Sequence, residues 1–294
     1  MFVSVVIITR DRLSDLQDCL KSIKEQSYGE MEIVIIDNSV NSETEHYFLS
    51  INDEKIKYHR MNENLGVCGG RNFGISRAKG DVIVTVDDDA YFKDNVAINK
   101  IVEKFQVNST IGVIAFKIID HYTNDVEPMF FPSRNKNRSA NEEFETTWFI
   151  GAGHAIRKSV YERVGTYRDF WPYGSEEFDL SLRIIDHNER IVYSPDIEIF
   201  HKEEKASRIP PDEIIVLRLK HRIKAAYLNL PILNVLSFFL IRSVHFLFKY
   251  RKPYLIFVAW KQIFAEIGSW KEQRKQISKS SIKKIKHLNG HVYF

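Results

Sequence analysis

The chain has 294 residues, 44% of them hydrophobic and 28% charged. That suits one large α/β domain with an appendage, or two small domains, in an ordinary folded protein. The formal net charge of +3 is too small to argue for nucleic acid. Two cysteines, Cys19 and Cys68, exclude a disulfide framework and a thiolate zinc site, and both read as reduced.

The first residues lack a basic leader and a small-residue cleavage site, so they read as a buried strand and not a signal peptide. Val3 to Thr9 is a continuous apolar run, as expected for a strand covered on both faces. Leu13, Leu16, Leu20 and Ile23 have helical spacing. Glu32 to Ile36 predicts a second buried strand ending at Asp37-Asn38-Ser39, then a helix over Thr44 to Ile51 and a short strand over Ile56 to His59. Asn64 to Gly70 reads as a glycine loop, followed by a helix over Arg71 to Ala78 and a strand from Asp81 to Val86 that stops at Asp87-Asp88-Asp89. This alternation implies a mostly parallel, doubly wound sheet. Ligands of such sheets bind beyond the carboxyl ends of the strands. Further elements are expected near Asn95 to Phe105 (helix), Gly112 to Ile119 (strand), Thr147 to Arg157 (strand) and Lys158 to Val164 (helix). A helix over Glu176 to His187 and short strands at Arg190 to Tyr193 and Ile197 to His201 complete the sheet region. Residues 120 to 146 are polar and irregular.

After residue 207 the pattern changes. The expected division is 1–207, a catalytic α/β domain, and 208–294, a helical amphipathic region. Pro210-Pro211-Asp212-Glu213 opens a basic helix, and two apolar stretches follow, Leu230 to Phe248 and Tyr254 to Ile267. Arg242 and His245 interrupt the first and Lys261 the second, so neither is read as a spanning helix. Apolar faces flanked by Lys and Arg fit helices lying on a membrane, and also fit a bundle that packs on the catalytic domain or forms a homo-oligomer. The stretch from Lys271 to Lys286 is basic, with one acid, Glu272, and suits an anionic partner or a solvated terminus.

The chemistry concentrates in a few places. Asp87-Asp88-Asp89 at a buried strand end sets three carboxylates against one another, and a divalent cation is the simplest compensation. Oxygen donors suit Mn²⁺ or Mg²⁺, and those ions bring diphosphates with them. On a continued strand, Asp87 and Asp89 would share a face. His201, at another strand end, is a candidate to complete the metal shell. Glu176, Glu177 and Asp179 cluster at a helix start, where the macrodipole stabilises acids and where two carboxylates can divide base and positioning roles. The glycine loop lets backbone approach a ligand closely, but it matches neither the P-loop nor the dinucleotide pattern.

Taken together and in order, these motifs resemble the family 2 glycosyltransferases over residues 2 to 203. Val5 to Arg12 resembles the family's first strand and turn, Val34 to Ser39 its base-binding strand end, and Asn64 to Gly74 the loop and helix beside the nucleotide. Asp87-Asp88-Asp89 resembles its Asp-X-Asp metal motif, and Glu176-Glu177-Phe178-Asp179-Leu180 its acidic catalytic motif, with Glu where Asp is frequent at the second place. The resemblance implies the GT-A nucleotide-sugar-binding fold with a C-terminal helical extension. It implies that Thr9, Arg10 and Asp11 line the nucleotide pocket with Asn38, and that Asp37 contacts the base. It further implies that Arg71 lies near the diphosphate or ribose, that Asp87 and Asp88 serve the donor, and that Asp89 and His201 ligate Mn²⁺ or Mg²⁺. Glu177 or Glu176 would be the general base, with Asp179 an anchor. The processive Gln-X-X-Arg-Trp motif is absent from the sequence, which implies single additions.

The expected activity is an inverting, metal-dependent transfer of one sugar from a nucleotide-diphosphate donor, UDP- or dTDP-linked, to a hydroxyl of a glycan or lipid-linked glycan. A cytoplasmic enzyme, peripheral on the inner face of the cell membrane, fits this chemistry. Trp148, Phe149, Trp171 and Tyr173 are candidates for an acceptor stacking platform. The rival readings are a sugar-phosphate nucleotidyltransferase and a catalytically silent nucleotide-sugar-binding or scaffold protein.

Overall fold

Apolar runs without polar alternation become strands when helices cover both sheet faces. Val3–Thr9 (β1) is such a run, and so is Met31–Asp37 (β2), which is buried throughout. The computed structural model describes residues 1–169, 174–202 and 210–292. Helix Leu13–Lys24 (α1) joins β1 to β2, and Glu43–Leu49 (α2) leads to Ile56–Arg60 (β3). Gly66–Arg77 (α3) precedes Val82–Val86 (β4) and the short Ala90–Phe92 (β5). Ala97–Val107 (α4), Ile111–Asp120 (β6), Phe144–Thr146 (β7), Gly153–Arg157 (β8) and Lys158–Val164 (α5) follow. Glu176–Asp186 (α6) and Arg190–His201 (β9) close the sheet region. Pro211–Asn229 (α7), Ile232–Tyr250 (α8), Pro253–Trp270 (α9) and Lys279–His287 (α10) form the helical remainder.

Among the described residues nine strands make one sheet, in the order β3-β2-β1-β4-β8-β6-β9-β5, with β7 on β9. The first four are parallel, as the strand–helix alternation predicts. Beyond β4 the sheet is mixed: β8 runs antiparallel to β4 and β6, β5 and β7 antiparallel to β9, and only β6 and β9 are parallel. The expectation of a mostly parallel sheet therefore holds for the first half alone, because β8 enters the sheet from a loop and not from a crossover helix. Its strand is also shorter than Thr147 to Arg157 suggested. The two short strands expected at the end are one, β9, with a register shift opposite Phe116 and Lys117.

One apolar core lies between the sheet and α1 and α4, including Leu16, Ile23, Ile98 and Phe105. The other lies on the opposite face and runs without a break from Val6 and Ile83 through Phe178 to Phe238, Trp270 and Val292. Sheet and helical region thus share a core. The basic C-terminal stretch is built into it: Ser278 N donates to Asp186 Oδ1 at 2.6 Å, Lys284 Nζ pairs with Glu145 Oε1 at 2.9 Å, and Ile285 is fully buried.

Helix α3 begins at Gly66, five residues before the expected start at Arg71, and absorbs most of the glycine loop. The glycines serve packing. A Cβ at Gly70 would stand 3.0 Å from Ile8 Cγ2, and one at Gly74 would fall inside van der Waals contact with Val6 Cγ1. Tight apposition to β1 outweighs the poor helix propensity of glycine. Gly74→Ala should therefore destabilise the fold by about 1–3 kcal/mol through overpacking against Val6. Denaturant unfolding measures this, and a midpoint equal to the wild type's would refute the packing role.

Candidate active site

The end of β4 and the end of β9 meet because β5 runs back along β9 and places Ala90 opposite His201. Lys202 N donates to Asp89 O at 2.8 Å, which fixes that junction. Asp87-Asp88-Asp89 is consequently a turn between β4 and β5 and not a continued strand. Asp87 and Asp89 still converge, through the turn and not through strand alternation. One donor atom each from Asp87, Asp89 and His201 lies within 4.8 Å of the others. His201 Nε2 is 3.2 Å from Asp89 Oδ1. The Phe130 ring packs edge-on against His201, with centroids 5.1 Å apart.

Asp88 turns inward. Thr9 Oγ1 donates to its Oδ2 at 2.8 Å, and Arg12 Nη1 lies 3.5 Å from its Oδ1. Burial, together with the charge of Asp89, pushes the Asp88 carboxyl up to about 7. For Asp89, burial acts in the same direction, but His201 and Arg12 outweigh it and hold the carboxyl below its ordinary range. Arg12 Nη1 pairs directly with Asp89 Oδ2.

Arg71 links this turn to α6. It sits on α3 at 2% exposure. Its Nη1 donates to Glu177 Oε1 at 2.8 Å, and its Nη2 to Asp87 Oδ1 and the Gly151 carbonyl, both at 3.2 Å. The Tyr167 ring lies 5.4 Å from the guanidinium carbon. Tyr167 is held from two sides: Asn72 bonds both its N–H and its carbonyl, and His154 Nε2 is 3.0 Å from its hydroxyl. A Cβ at Gly151 would strike Glu177 Oε1 and Arg71 Nη2, so only glycine allows this approach.

The acidic candidates on α6 separate by environment. The Glu177 side chain is 17% exposed and engages Arg71. Glu176 is buried, its Oε2 has no hydrogen-bond partner, and burial together with the neighbouring Glu177 raises its carboxyl to about 8. Asp179, grouped with the catalytic acids on sequence grounds, is enclosed at 1% exposure. It accepts from Asn229 Nδ2 at 2.7 Å and pairs with Arg183 and Arg168 at 3.1 and 3.3 Å, which makes it an anchor between α6 and α7.

The remaining sequence candidates fall as follows. Thr9 is buried against Asp88, and Arg10 lies on the rim near Asp11. Asp11 adopts a φ of 52° and its Oδ1 accepts from Val40 N at 2.9 Å, tying the β1 and β2 ends together. Asn38 Oδ1 accepts from Leu65 N at 3.2 Å, which anchors the start of α3. Asp37 lies at the same edge but is wholly buried, with its carboxylate taken by Ser39 N, Tyr58 and Arg60. In this arrangement it braces the edge from beneath. Arg71 too lies under the site and not on its surface. Phe149 is 1% exposed and packs on His154, so it belongs to the core and cannot offer a stacking face. Trp148 packs on His291, with centroids 4.7 Å apart. Trp171 and Tyr173 lie outside the described residues.

Arg12, Asn72, Gly151 and Tyr167 escaped sequence reasoning. Arg12 carried a signal, a cation three residues beyond Thr9. Gly151 and Tyr167 carried none, since they reach Arg71 from 80 and 96 positions away in the chain.

The state of Glu176 is testable through stability. Between the ordinary 4.5 and about 8, the folded protein keeps a proton that the unfolded chain has released. Stability therefore falls as pH rises through that window. Glu176→Gln removes this slope, so the variant should gain on the wild type as pH rises, read from thermal unfolding across pH. Parallel curves would contradict the buried, protonated Glu176.

Residues 4–165 match the family model described as Glycosyl transferase family 2. Over 219 residues the chain is 23% identical to the glucosyl-dolichyl phosphate glucuronosyltransferase of Haloferax volcanii, covering 69% of each protein. It superposes on S. aureus TarS in complex with UDP-GlcNAc with a TM-score of 0.64 and 15% identity, covering 98% of this chain and 84% of that one. The mannosyltransferase PcManGT from Pyrobaculum calidifontis, in complex with GDP-Man and Mn²⁺, gives 0.59 and 16%, covering 97% and 78%. At these identities the two structures establish the fold. The family match spans more than half of the chain and includes the acidic turn and Arg71, and on that ground the chain belongs to glycosyl transferase family 2 and is a glycosyltransferase of GT-A fold.

Proposed function

We propose that the protein transfers a single sugar, with inversion, from a UDP- or dTDP-linked donor to a hydroxyl of a glycan or lipid-linked glycan. One observation carries the reading. A partly exposed carboxylate, Glu177, is tied through Arg71 to Asp87 of the acidic turn, so a proton acceptor and a diphosphate site stand side by side.

Asp87, Asp89 and His201 supply two carboxylates and an imidazole, a donor set that fits Mn²⁺ or Mg²⁺. Such an ion, when bound, would offset charge growing on the departing nucleotide diphosphate. Glu177 takes the proton of the acceptor hydroxyl as its oxygen attacks the anomeric carbon, and the bond to the diphosphate breaks on the opposite side. Arg71 holds Glu177 in place through Oε1. Being buried, it acts through Glu177 and Asp87 and does not touch the diphosphate itself. Thr9 and Arg12 keep Asp88 and Asp89 in the turn's geometry. The glucosyl-dolichyl phosphate in the name of the Haloferax relative supports a lipid-linked acceptor.

A nucleotide-release screen over nucleotide sugars and candidate acceptors, with Mn²⁺, Mg²⁺ or chelator, tests the reading. Metal-dependent release of a nucleoside diphosphate from one donor is expected. Glu177→Gln should lower turnover about 10²-fold or more while leaving donor binding near the wild-type value. Asp89→Ala should weaken metal-supported donor binding. Equal loss of binding and turnover in Glu177→Gln would refute its role as base. Release of pyrophosphate from a nucleoside triphosphate would replace the proposal with nucleotidyl transfer.

A further inference from the structure

Helix α8 is committed to the protein on one face only. Val235, Phe238 and Phe246 are buried, and Phe238 stacks on Phe178 of α6 with centroids 6.0 Å apart. The other face presents Leu233, Leu236, Leu240, Val244, Leu247 and Phe248 at spacings of three and four, each between 39% and 75% exposed. A two-residue link, Arg251-Lys252, returns the chain into α9. The helices are clasped antiparallel by Trp260 Nε1 donating to Ser243 Oγ at 2.9 Å and by Phe239 stacked on Trp260. Phe257, Val258 and Phe264 extend the exposed apolar surface along α9. A continuous apolar surface of this kind marks a contact with a partner or a membrane.

Charge selects the partner. Residues 231–294 hold 12 Lys and Arg against 2 acids, Glu266 and Glu272, while residues 1–230 hold 30 against 37. Lys249, Arg251, Lys252 and Lys261 are exposed on or between the two helices themselves. A second copy docked on this surface would bring two cationic regions together, whereas anionic lipid headgroups neutralise them. An apolar surface also has nothing to offer a nucleic-acid backbone. α8 meets the length and composition of a crossing helix, with mean hydropathy 1.5. Its inner face packs on α7 and meets Phe178 of α6, however, so it fits a helix lying in the interface and not one surrounded by acyl chains.

We infer that the exposed faces of α8 and α9 seat the protein on an anionic lipid bilayer, apolar side chains in the acyl boundary and cations at the headgroups. Phe178 is the neighbour of Glu177, so the seat would bring the start of α6 within about one helix diameter, ~10–12 Å, of the bilayer surface. That favours an acceptor anchored in the membrane, a corollary that rests on the catalytic proposal. The lipid contact does not.

Flotation of the full chain with vesicles of phosphatidylglycerol and phosphatidylethanolamine, or of phosphatidylcholine alone, tests the contact without reading sugar transfer. The protein should float with the anionic vesicles, and less with phosphatidylcholine or at high salt. The triple variant Leu236→Gln, Leu240→Gln, Phe248→Gln should float about tenfold less or weaker still. Its unfolding midpoint without vesicles should match the wild type's, because the three side chains are exposed. Wild-type protein left in the aqueous fraction with both vesicle types would overturn the inference. So would a solution dimer, seen by light scattering, that the triple variant converts to monomer while flotation is unchanged.

Discussion

A guanidinium removed from water costs several kcal/mol unless each of its faces meets a partner. Arg71, at 2% exposure, is paired through both terminal nitrogens, with Glu177, Asp87 and the Gly151 carbonyl, and lies over the Tyr167 ring, while its Nε has no hydrogen-bond partner. Its two carboxylates come from α6 and from the end of β4, which are 90 residues apart in sequence. The need to satisfy one buried cation fixes the spacing between Glu177 and the acidic turn. It also dictates glycine at 151 and the clamp of Asn72 on Tyr167. Lysine could not replace it, because a single ammonium lacks the planar fork that reaches two carboxylates and a carbonyl.

The helical region bears on the same site from the other side. Asn229 of α7 donates to Asp179, one turn inside α6, and Phe238 of α8 stacks on Phe178. Arg134 Nη1 bonds the Gly290 carbonyl at 2.9 Å, and a Cβ at Gly290 would crowd Thr147. Gly290 thereby supports the segment that carries Gly151. The sheet ends with β9 and the helices resume with α7, and one apolar core passes from the first to the second.

What the sequence made legible was local. β1, β2 and β4 showed as unbroken apolar runs because they are covered on both faces, and the acidic turn stood out because three carboxylates beside such a run demand compensation. The family resemblance singled out His201 and Glu177, which the fold brings to the acidic turn, one directly and one through Arg71. What it could not show depends on distant partners. The start of α3 at Gly66 follows from the close approach of Gly70 and Gly74 to β1, against local propensity. The mixed half of the sheet follows from β8 entering between β4 and β6. Phe149, one of the stacking candidates, is core, as a large aromatic more often is. Asp179, expected as an anchor, is braced by Asn229 and Arg168, and Asp37, expected to contact the base, is held from beneath by Tyr58 and Arg60; these partners lie on other parts of the chain.

The claim on which the site rests is that Asp87 and Glu177 share one buried cation. A double-mutant cycle on unfolding free energy, with Asp87→Asn, Glu177→Gln and the pair together, measures it without substrate or metal. Each single change leaves Arg71 one charged partner, and the double change leaves it none. The pair should therefore cost about 1 kcal/mol or more beyond the sum of the singles. Costs that add to within about 0.5 kcal/mol would show that Arg71 does not couple the two carboxylates, and would remove the physical basis for this site.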